Sequence, residues 1–282
     1  MNTAHLVSDL RTRIAQWRAH GERIVLVPTM GNLHRGHLAL VRRAQQLGER
    51  VVVTVFVNPL QFGPNEDFGR YPRTLPEDLR QLEAEGVDLV YAPPVEEVYA
   101  NGFPPATTIT VSPLSAELEG EFRPGFFTGV ATVVSILFNS VQPDVAVFGE
   151  KDWQQLQIIR RMVSDLRMPV EVVGYPTERA EDGLALSSRN QYLNADERAL
   201  APRVHAALRA VAAGLGAGRN DYKALCAEQA RALEAVGYRV QYLEIRTPVL
   251  APPEVTSRDF VVLVAAVLGT TRLIDNLPVN LT

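Results

Sequence analysis

Residues 25–45, VLVPTMGNLHRGHLALVRRAQ, decide the fold. An apolar run passes through Pro28, a Pro-Thr-Met-Gly turn follows, and a helical pattern begins near Gly36. A continuous β-branched run, a glycine turn and an amphipathic helix make the opening of a βα unit. The pattern then repeats. IVLVPT (24–29), RVVVTVFV (50–57), VDLVYAP (87–93) and DVAVFG (144–149) are apolar runs of the kind buried on both faces of a parallel sheet. Between them lie helix-length segments at 36–47, 76–85 and 127–141.

Strand-then-helix repetition predicts an α/β fold: a doubly wound, parallel, Rossmann-like sheet with right-handed crossovers. VEVVGY (170–175) reads as its last strand. Beyond EDGLALSSRN (181–190) the texture changes. Residues 195–235 are Ala-rich and helical, and the strand-like runs 238–246 and 259–268 precede TTRLIDNL (270–277). Two helices and a small sheet predict a second, smaller α+β C-terminal domain. The expected division is 1–180 and 181–282, with the change of texture near 176–190.

At 282 residues and 46% hydrophobic content, the chain can bury a substantial core. A net charge of −4, from 28 basic and 32 acidic residues, gives no electrostatic reason to expect a nucleic-acid or membrane partner. A bound anion must meet a local site. The single cysteine, Cys226, excludes an intramolecular disulfide and any cysteine metal cluster, and cytoplasmic residence is expected. The N-terminal stretch lacks the apolar core of a secretory signal, and no run approaches the ~18–20 apolar residues of a membrane span.

Four segments carry candidate chemistry. In the opening stretch, Gly31 and Gly36 allow close backbone approach, and the helix start offers N–H donors and a partial positive charge suited to phosphate. His34 and His37, three apart, can address the same anion, although a loop residue and a helix cap explain them equally well. In VFVNPLQFGPNEDFGRYPRTLPEDL, Asn58 and Gln61 are amides that both donate and accept, suited to a polyhydroxy acid. Glu77 and Asp78 open the next helix, where capping accounts for them as well as a magnesium ion does. In DVAVFGEKDWQQLQ, Lys151 and Asp152 follow a strand, Lys151 is a point charge for phosphate, and Gln155 lies one turn on. In DGLALSSRNQYL, Ser187, Ser188 and Arg189 form a compact anion-binding set. Asn194 and Glu197 already supply the next helix start, so the serines are not needed for that job.

Together these segments suggest a nucleoside triphosphate beside a small polar acid. PTMGNLHRGH, VFVNPLQFGPNEDFGRYPRT, RPGFFTGVATVV, LFNSVQPDVAVFGEKDWQQL and DGLALSSRNQYL, in this order, closely resemble the pantothenate synthetase (pantoate–β-alanine ligase) family, within the nucleotidyltransferases that share an HxGH signature. The resemblance implies ATP-dependent condensation of (R)-pantoate with β-alanine through a pantoyl adenylate, releasing AMP and pyrophosphate, in the pathway to coenzyme A. It implies that Met30, Gly31, Asn32 and Leu33, then His34, Arg35, Gly36 and His37, line the ATP phosphates. His37 takes the proton-donor role, with His34 beside it. Gly149, Glu150, Lys151 and Asp152 contact the nucleotide, Lys151 bridging phosphate and the attacking carboxylate, while Leu186, Ser187, Ser188 and Arg189 bind the triphosphate. Gln61 and Gln155 hold pantoate, with Asn58 in support; Asp78, with Glu77 as a second candidate, helps place Mg2+. The smaller domain closes over the site, and the family is typically a cytoplasmic homodimer.

This chain departs from the family pattern at Phe126, where His is usual, and at Ile136, where Lys is usual. Glu178 replaces an apolar residue that the family uses through its backbone, and its carboxylate is unfavourable near ATP unless Arg179 screens it. Asn32 stands where Ala or Tyr is common. The alternative is another HxGH-type nucleotidylyltransferase acting on a small acid or phosphate acceptor, which would call for more basic residues in the second loop than Asn58 and Gln61 provide. A nucleotide-sensing module without turnover would keep the phosphate loops and lose His34, His37 and Lys151.

Overall fold

A computed structural model of the chain describes residues 1–64 and 66–281. Its larger sheet collects β1 (Asn2–Ala4), β2 (Ile24–Thr29), β3 (Arg50–Val55), β4 (Leu89–Tyr91), β5 (Val145–Gly149) and β6 (Glu171–Tyr175) in the order β1-β4-β3-β2-β5-β6. Every pairing in it is parallel. The order reverses between β2 and β5, where chain growth towards one edge gives way to growth towards the other. In such sheets ligands sit at that switch point, beyond the carboxyl ends of the strands.

The helices are α1 (Val7–Ala19), α2 (Arg35–Gln45), α3 (Leu75–Ala84), the one-turn α4 (Val95–Val98) and α5 (Glu119–Phe122), α6 (Phe126–Val141) and α7 (Trp153–Asp165). Val25 and Val27 of β2, Val51 and Val53 of β3 and Val145 and Val147 of β5 join Leu40, Val41 and Ala44 of α2 and Leu82 of α3 in one core. The alternate residues Ile24, Leu26 and Val52 are also fully buried, because α6 covers β2 as well. Burial on both faces is why these strands read as unbroken apolar runs rather than as alternation.

The smaller sheet is antiparallel, β7 (Tyr238–Arg246), β8 (Asp259–Leu268) and β9 (Thr271–Asn280) in that order. Three helices precede it: α8 (Ala195–Leu200), α9 (Arg203–Gly216) and α10 (Tyr222–Glu234). The sequence pattern suggested two; Pro202 interrupts the first, since proline has no N–H to donate to the carbonyl four residues back. Leu208, Val211 and Leu215 of α9 pack with Leu225 and Leu233 of α10 on Val262, Val264 and Ala266 of β8.

The chain separates into two compact units. One comprises Met1–Glu150 with Ile158–Pro176, and the other comprises Lys151–Gln157 with everything from Thr177 onward. The first turn of α7 thus groups with the second unit, an assignment that a single cut at residue 180 does not make. A Leu215→Ala variant, which truncates a side chain 1% exposed, should lose about 2–5 kcal/mol of stability. Denaturant unfolding will show this as an earlier transition.

Candidate active site

The first βα turn is held by a carboxylate from another helix. Asp78, in the first turn of α3 and 1% exposed, accepts the N–H groups of Leu33 at 2.8 Å and Asn32 at 3.0 Å, and the Thr74 hydroxyl at 3.1 Å. A carboxylate buried this deeply is tolerable because donors meet both oxygens. Gly31 sits in the left-handed region at φ +78°, and a Cβ there would lie 3.0 Å from the Asp78 carboxylate and from Val55. Asn32 is also left-handed, φ +50°, a conformation that asparagine tolerates better than most residues, which accounts for its presence here.

The two backbone N–H groups expected to face phosphate at Asn32 and Leu33 are therefore given to Asp78. Leu33 also sends its side chain into the core. Asp78 itself is a loop anchor. It accepts three donors from within the protein, and Glu77 is paired with Arg80 and accepts from Gln81 at 3.2 Å. Among the described residues no group of three or more His, Cys, Asp or Glu side chains is arranged to hold a metal ion.

The histidines follow directly. His34 is the N-cap of α2, and its Nδ1 accepts the Gly36 N–H at 3.1 Å. His37 Nδ1 in turn accepts the His34 N–H at 3.3 Å. A backbone N–H is always a donor, so both Nδ1 atoms are acceptors and each neutral ring carries its proton on Nε2. The rings stand 4.1 Å apart between centroids, tilted by 35°. Capping and phosphate recognition were alternative explanations of these histidines. The structure shows the first job done by Nδ1, which puts the proton on Nε2, the atom suited to the second. Arg35, the first helical residue, is exposed, and Met30 and Gly36 are half-buried. No acidic residue lies in the first turn to compete for the helix dipole.

The second loop is organised around Asn58, which is fully buried. Its Oδ1 accepts from Leu60 N–H at 3.2 Å and from the Tyr99 hydroxyl at 2.6 Å, and its Nδ2 donates to Gln61 Oε1 at 2.9 Å and to Gly129 O at 3.1 Å. The Leu60 N–H fixes which end of the Asn58 amide is oxygen. That in turn fixes Gln61, whose Oε1 faces Asn58. Asn58 thus makes four hydrogen bonds within the protein, one of which orients Gln61. Burial pushes the Tyr99 phenol well above its ordinary range, so it remains a donor.

Sequence reasoning missed three further parts of this loop. Tyr99 gave no signal, since an isolated tyrosine has no spacing to read. Gly129 of α6 runs so close to the loop that an added Cβ would fall 2.3 Å from Leu60 O. Arg123 donates to Gln61 O at 2.9 Å and to Glu66 at 2.6 and 2.7 Å, and stacks its guanidinium 3.6 Å from the Phe126 ring centroid. That stacking gives the aromatic ring at position 126 a physical role. Half-buried Ile136 makes no comparable polar contact that would explain its departure.

In the second unit, Lys151 and Asp152 lie in a single 3-10 turn, their charges 3.8 Å apart, too long for a hydrogen bond. Gln155 follows half-buried on α7. Ser187 Oγ accepts the Arg189 N–H at 3.3 Å, so it caps the 3-10 turn Ser188–Tyr192 and has a structural task as well. The Asn194–Glu197 capping box is formed as expected. Glu178 O accepts from Leu186 N–H at 2.9 Å. Arg179 commits both Nη groups to Asp275, at 2.7 and 2.9 Å.

Gly149 ends β5 in the first unit, followed by Glu150. Burial pushes the Glu150 carboxyl above its ordinary value of 4.5, with the Arg160 charge opposing. A carboxyl held above its unfolded value costs stability as pH rises past that value.

A family model described as pantoate-beta-alanine ligase matches residues 2–278. The chain is 55% identical to the pantothenate synthetase of Pseudomonas savastanoi pv. phaseolicola, covering 98% of each, and 55% identical to that of Pseudomonas putida KT2440, covering 100% of this chain and 98% of the relative. The crystal structure of pantothenate synthetase from Thermus thermophilus matches with a TM-score of 0.89 at 50% identity, over 98% and 99% of the two chains. The pantoate-beta-alanine ligase of Francisella tularensis, solved in complex with beta-gamma ATP and β-alanine, matches with a TM-score of 0.83 at 30% identity, over 98% and 97%.

Two outcomes check this geometry. Asp78→Asn should destabilise the protein by about 1–3 kcal/mol, because an amide sets a donor against the loop's own donors, and raising magnesium should not restore activity; full recovery by magnesium would make Asp78 a metal residue. Glu150→Gln should stabilise the protein at neutral pH, with the gain vanishing as pH falls below 4.5. Thermal unfolding across pH reads it.

Proposed function

The chain belongs to the pantoate–β-alanine ligase family, and from that premise we propose which of its side chains carry each step. It condenses (R)-pantoate with β-alanine using ATP, through a pantoyl adenylate, and releases AMP and pyrophosphate. The observation that carries the residue assignment is the reciprocal pair at the start of α2, in which both histidines spend Nδ1 on backbone and keep a proton on Nε2.

In the first step a pantoate carboxylate oxygen bonds to the α-phosphorus, and the bond from that phosphorus to the bridging oxygen breaks. Negative charge grows on the departing pyrophosphate. Positioned donors and cations stabilise such charge without any protein nucleophile. His37 and His34 supply Nε2–H donors to the phosphates, at a helix start whose dipole has the favourable sign. Lys151 supplies the cation between phosphate and attacking carboxylate, and Ser187, Ser188 and Arg189 bind the triphosphate. Gly149, Glu150 and Asp152, with Glu178 and Leu186 through backbone, contact the nucleotide. Gln61 and Gln155 hold pantoate; the Nε2 amide of Gln61 is the donor, because Oε1 is taken by Asn58.

In the second step the β-alanine amine, having lost its ammonium proton, bonds to the acyl carbon. The bond from that carbon to the AMP oxygen breaks with its electron pair leaving on the phosphate, and the nitrogen releases a further proton to solvent to give the amide. Positioning of amine and acyl carbon again carries much of the step. A magnesium ion bound with the nucleotide would neutralise phosphate charge, and Asp78 and Glu77, both already hydrogen-bonded within the protein, are the carboxylates that would help place it. No helix among the described residues is long and apolar enough to cross a membrane. We propose a cytoplasmic homodimer, as the family pattern suggests.

Purified protein should form AMP only when pantoate and β-alanine are both supplied, while pantoate alone supports exchange of pyrophosphate into ATP. AMP formation indifferent to pantoate contradicts the assignment. Replacing His37 with Ala should slow adenylation about 100- to 1,000-fold, the usual cost of one charge-stabilising donor. His37→Gln, whose amide nitrogen can occupy the Nε2 position, should recover part of that loss, and His37→Asn, which reaches only the Nδ1 position, should not. Equal rates for the two amides would contradict Nε2–H donation.

A further inference from the structure

We propose that Asp275 and Asn276, adjacent on β9, are positioning residues that set the geometry of both nucleotide-contacting segments of the second unit. The inference rests on the assignment of ATP to residues 149–152 and 178–189. One side chain reaches each segment. Asn276, 2% exposed, donates from Nδ2 to the Lys151 carbonyl at 2.8 Å. Asp275, 5% exposed, accepts both Nη groups of Arg179 in a bidentate pair, at 2.7 and 2.9 Å.

Arg179 extends that hold along its own loop. Its Nη1 also donates to Gly183 O at 3.1 Å, and its Nη2 to Asn276 O at 3.1 Å. Arg179 forms an isolated antiparallel bridge with Ala185. On either side of it, Ala180 N–H donates to Leu184 O at 2.8 Å, Leu186 N–H donates to Glu178 O at 2.9 Å, and Asn190 Nδ2 donates to Ala185 O at 2.9 Å. The loop that carries Leu186 to Arg189 is thereby a closed hairpin with its guanidinium pinned to β9.

The mounting is rigid. Asp275 and Asn276 pair in register with Val264 and Leu263 of β8, the central strand of the small sheet. A buried ion pair is a poor way to gain stability, since apolar residues of similar size serve as well. What it supplies is direction, through a planar fork matched to a carboxylate. Two polar side chains inside a strand of this core, each ending on a different phosphate-facing segment, are explained by geometry. Sites held to a fraction of an ångström need such a supporting layer behind the contacting residues.

The test uses the full-length enzyme and steady-state AMP formation with each substrate varied in turn. Asn276→Ser removes the amide donor and Arg179→Lys keeps the charge but removes the fork. Each should raise KM for ATP about tenfold, the size of one lost buried hydrogen bond, and in Arg179→Lys, whose loop is assigned to the nucleotide alone, KM for pantoate should move less than about twofold. Leu215→Ala, a core truncation far along α9, should lower the thermal midpoint and leave KM for ATP unchanged, separating positioning from stability. An unaltered KM for ATP in both variants overturns the proposal, as does an equal rise for both substrates in Arg179→Lys. Should Asn276→Ser not fold, Arg179→Lys decides alone. If the unsubstituted enzyme makes AMP without pantoate, the functional assignment fails instead.

Discussion

One buried carboxylate makes the first βα turn what it is. Asp78 takes the N–H groups of Asn32 and Leu33 and the Thr74 hydroxyl, tying the start of α3 to the turn that leaves β2. Without that acceptor, two backbone donors in a buried turn would be unmatched, at a cost comparable to several surface interactions. With it, the left-handed pair Gly31 and Asn32 is stable, Leu33 reaches the core, and the chain arrives at His34 in the extended conformation an N-cap requires. The histidine pair depends on this sequence of constraints.

The same division of labour recurs at each loop. A buried polar residue holds the segment that carries each candidate side chain: Asp78 behind the turn that leads to His34 and His37, Asn58 beside Gln61, and Asp275 with Asn276 behind the 178–189 hairpin and Lys151. Directional hydrogen bonds suit the task because they fix a rotation as well as a distance. The Asn58–Gln61 amide pair shows this directly, since the backbone N–H of Leu60 determines, through one intermediate, which atom of Gln61 is the donor.

Much of the fold was legible in the sequence because its signals are local. Apolar runs 24–29, 50–57 and 144–149 announced β2, β3 and β5, and the Asn194–Glu197 spacing announced α8. What stayed hidden depends on partners far along the chain. Asp78 read as a helix-start acid or a metal residue because nothing near it in sequence shows that the 31–33 turn packs on it. Arg179 was weighed only against its neighbour Glu178, because its ion-pair partner Asp275 lies on the last strand, far along the chain. Asn58 read as a substrate contact because its polarity was visible and its complete burial was not. The short strand β1 and the Tyr99 hydroxyl carried no pattern at all.

The central claim is that His34 and His37 act through protons on Nε2 because backbone N–H groups occupy both Nδ1 atoms. Nitrogen-15 spectroscopy of the histidine side chains, assigned by replacing each residue in turn, reads this directly. The expected result at neutral pH is an unprotonated Nδ1 and a protonated Nε2 for both rings, with the Nε2 signals moving when a non-hydrolysable ATP analogue is added. A proton on Nδ1 of either ring, or Nε2 signals unmoved by the nucleotide, would contradict it.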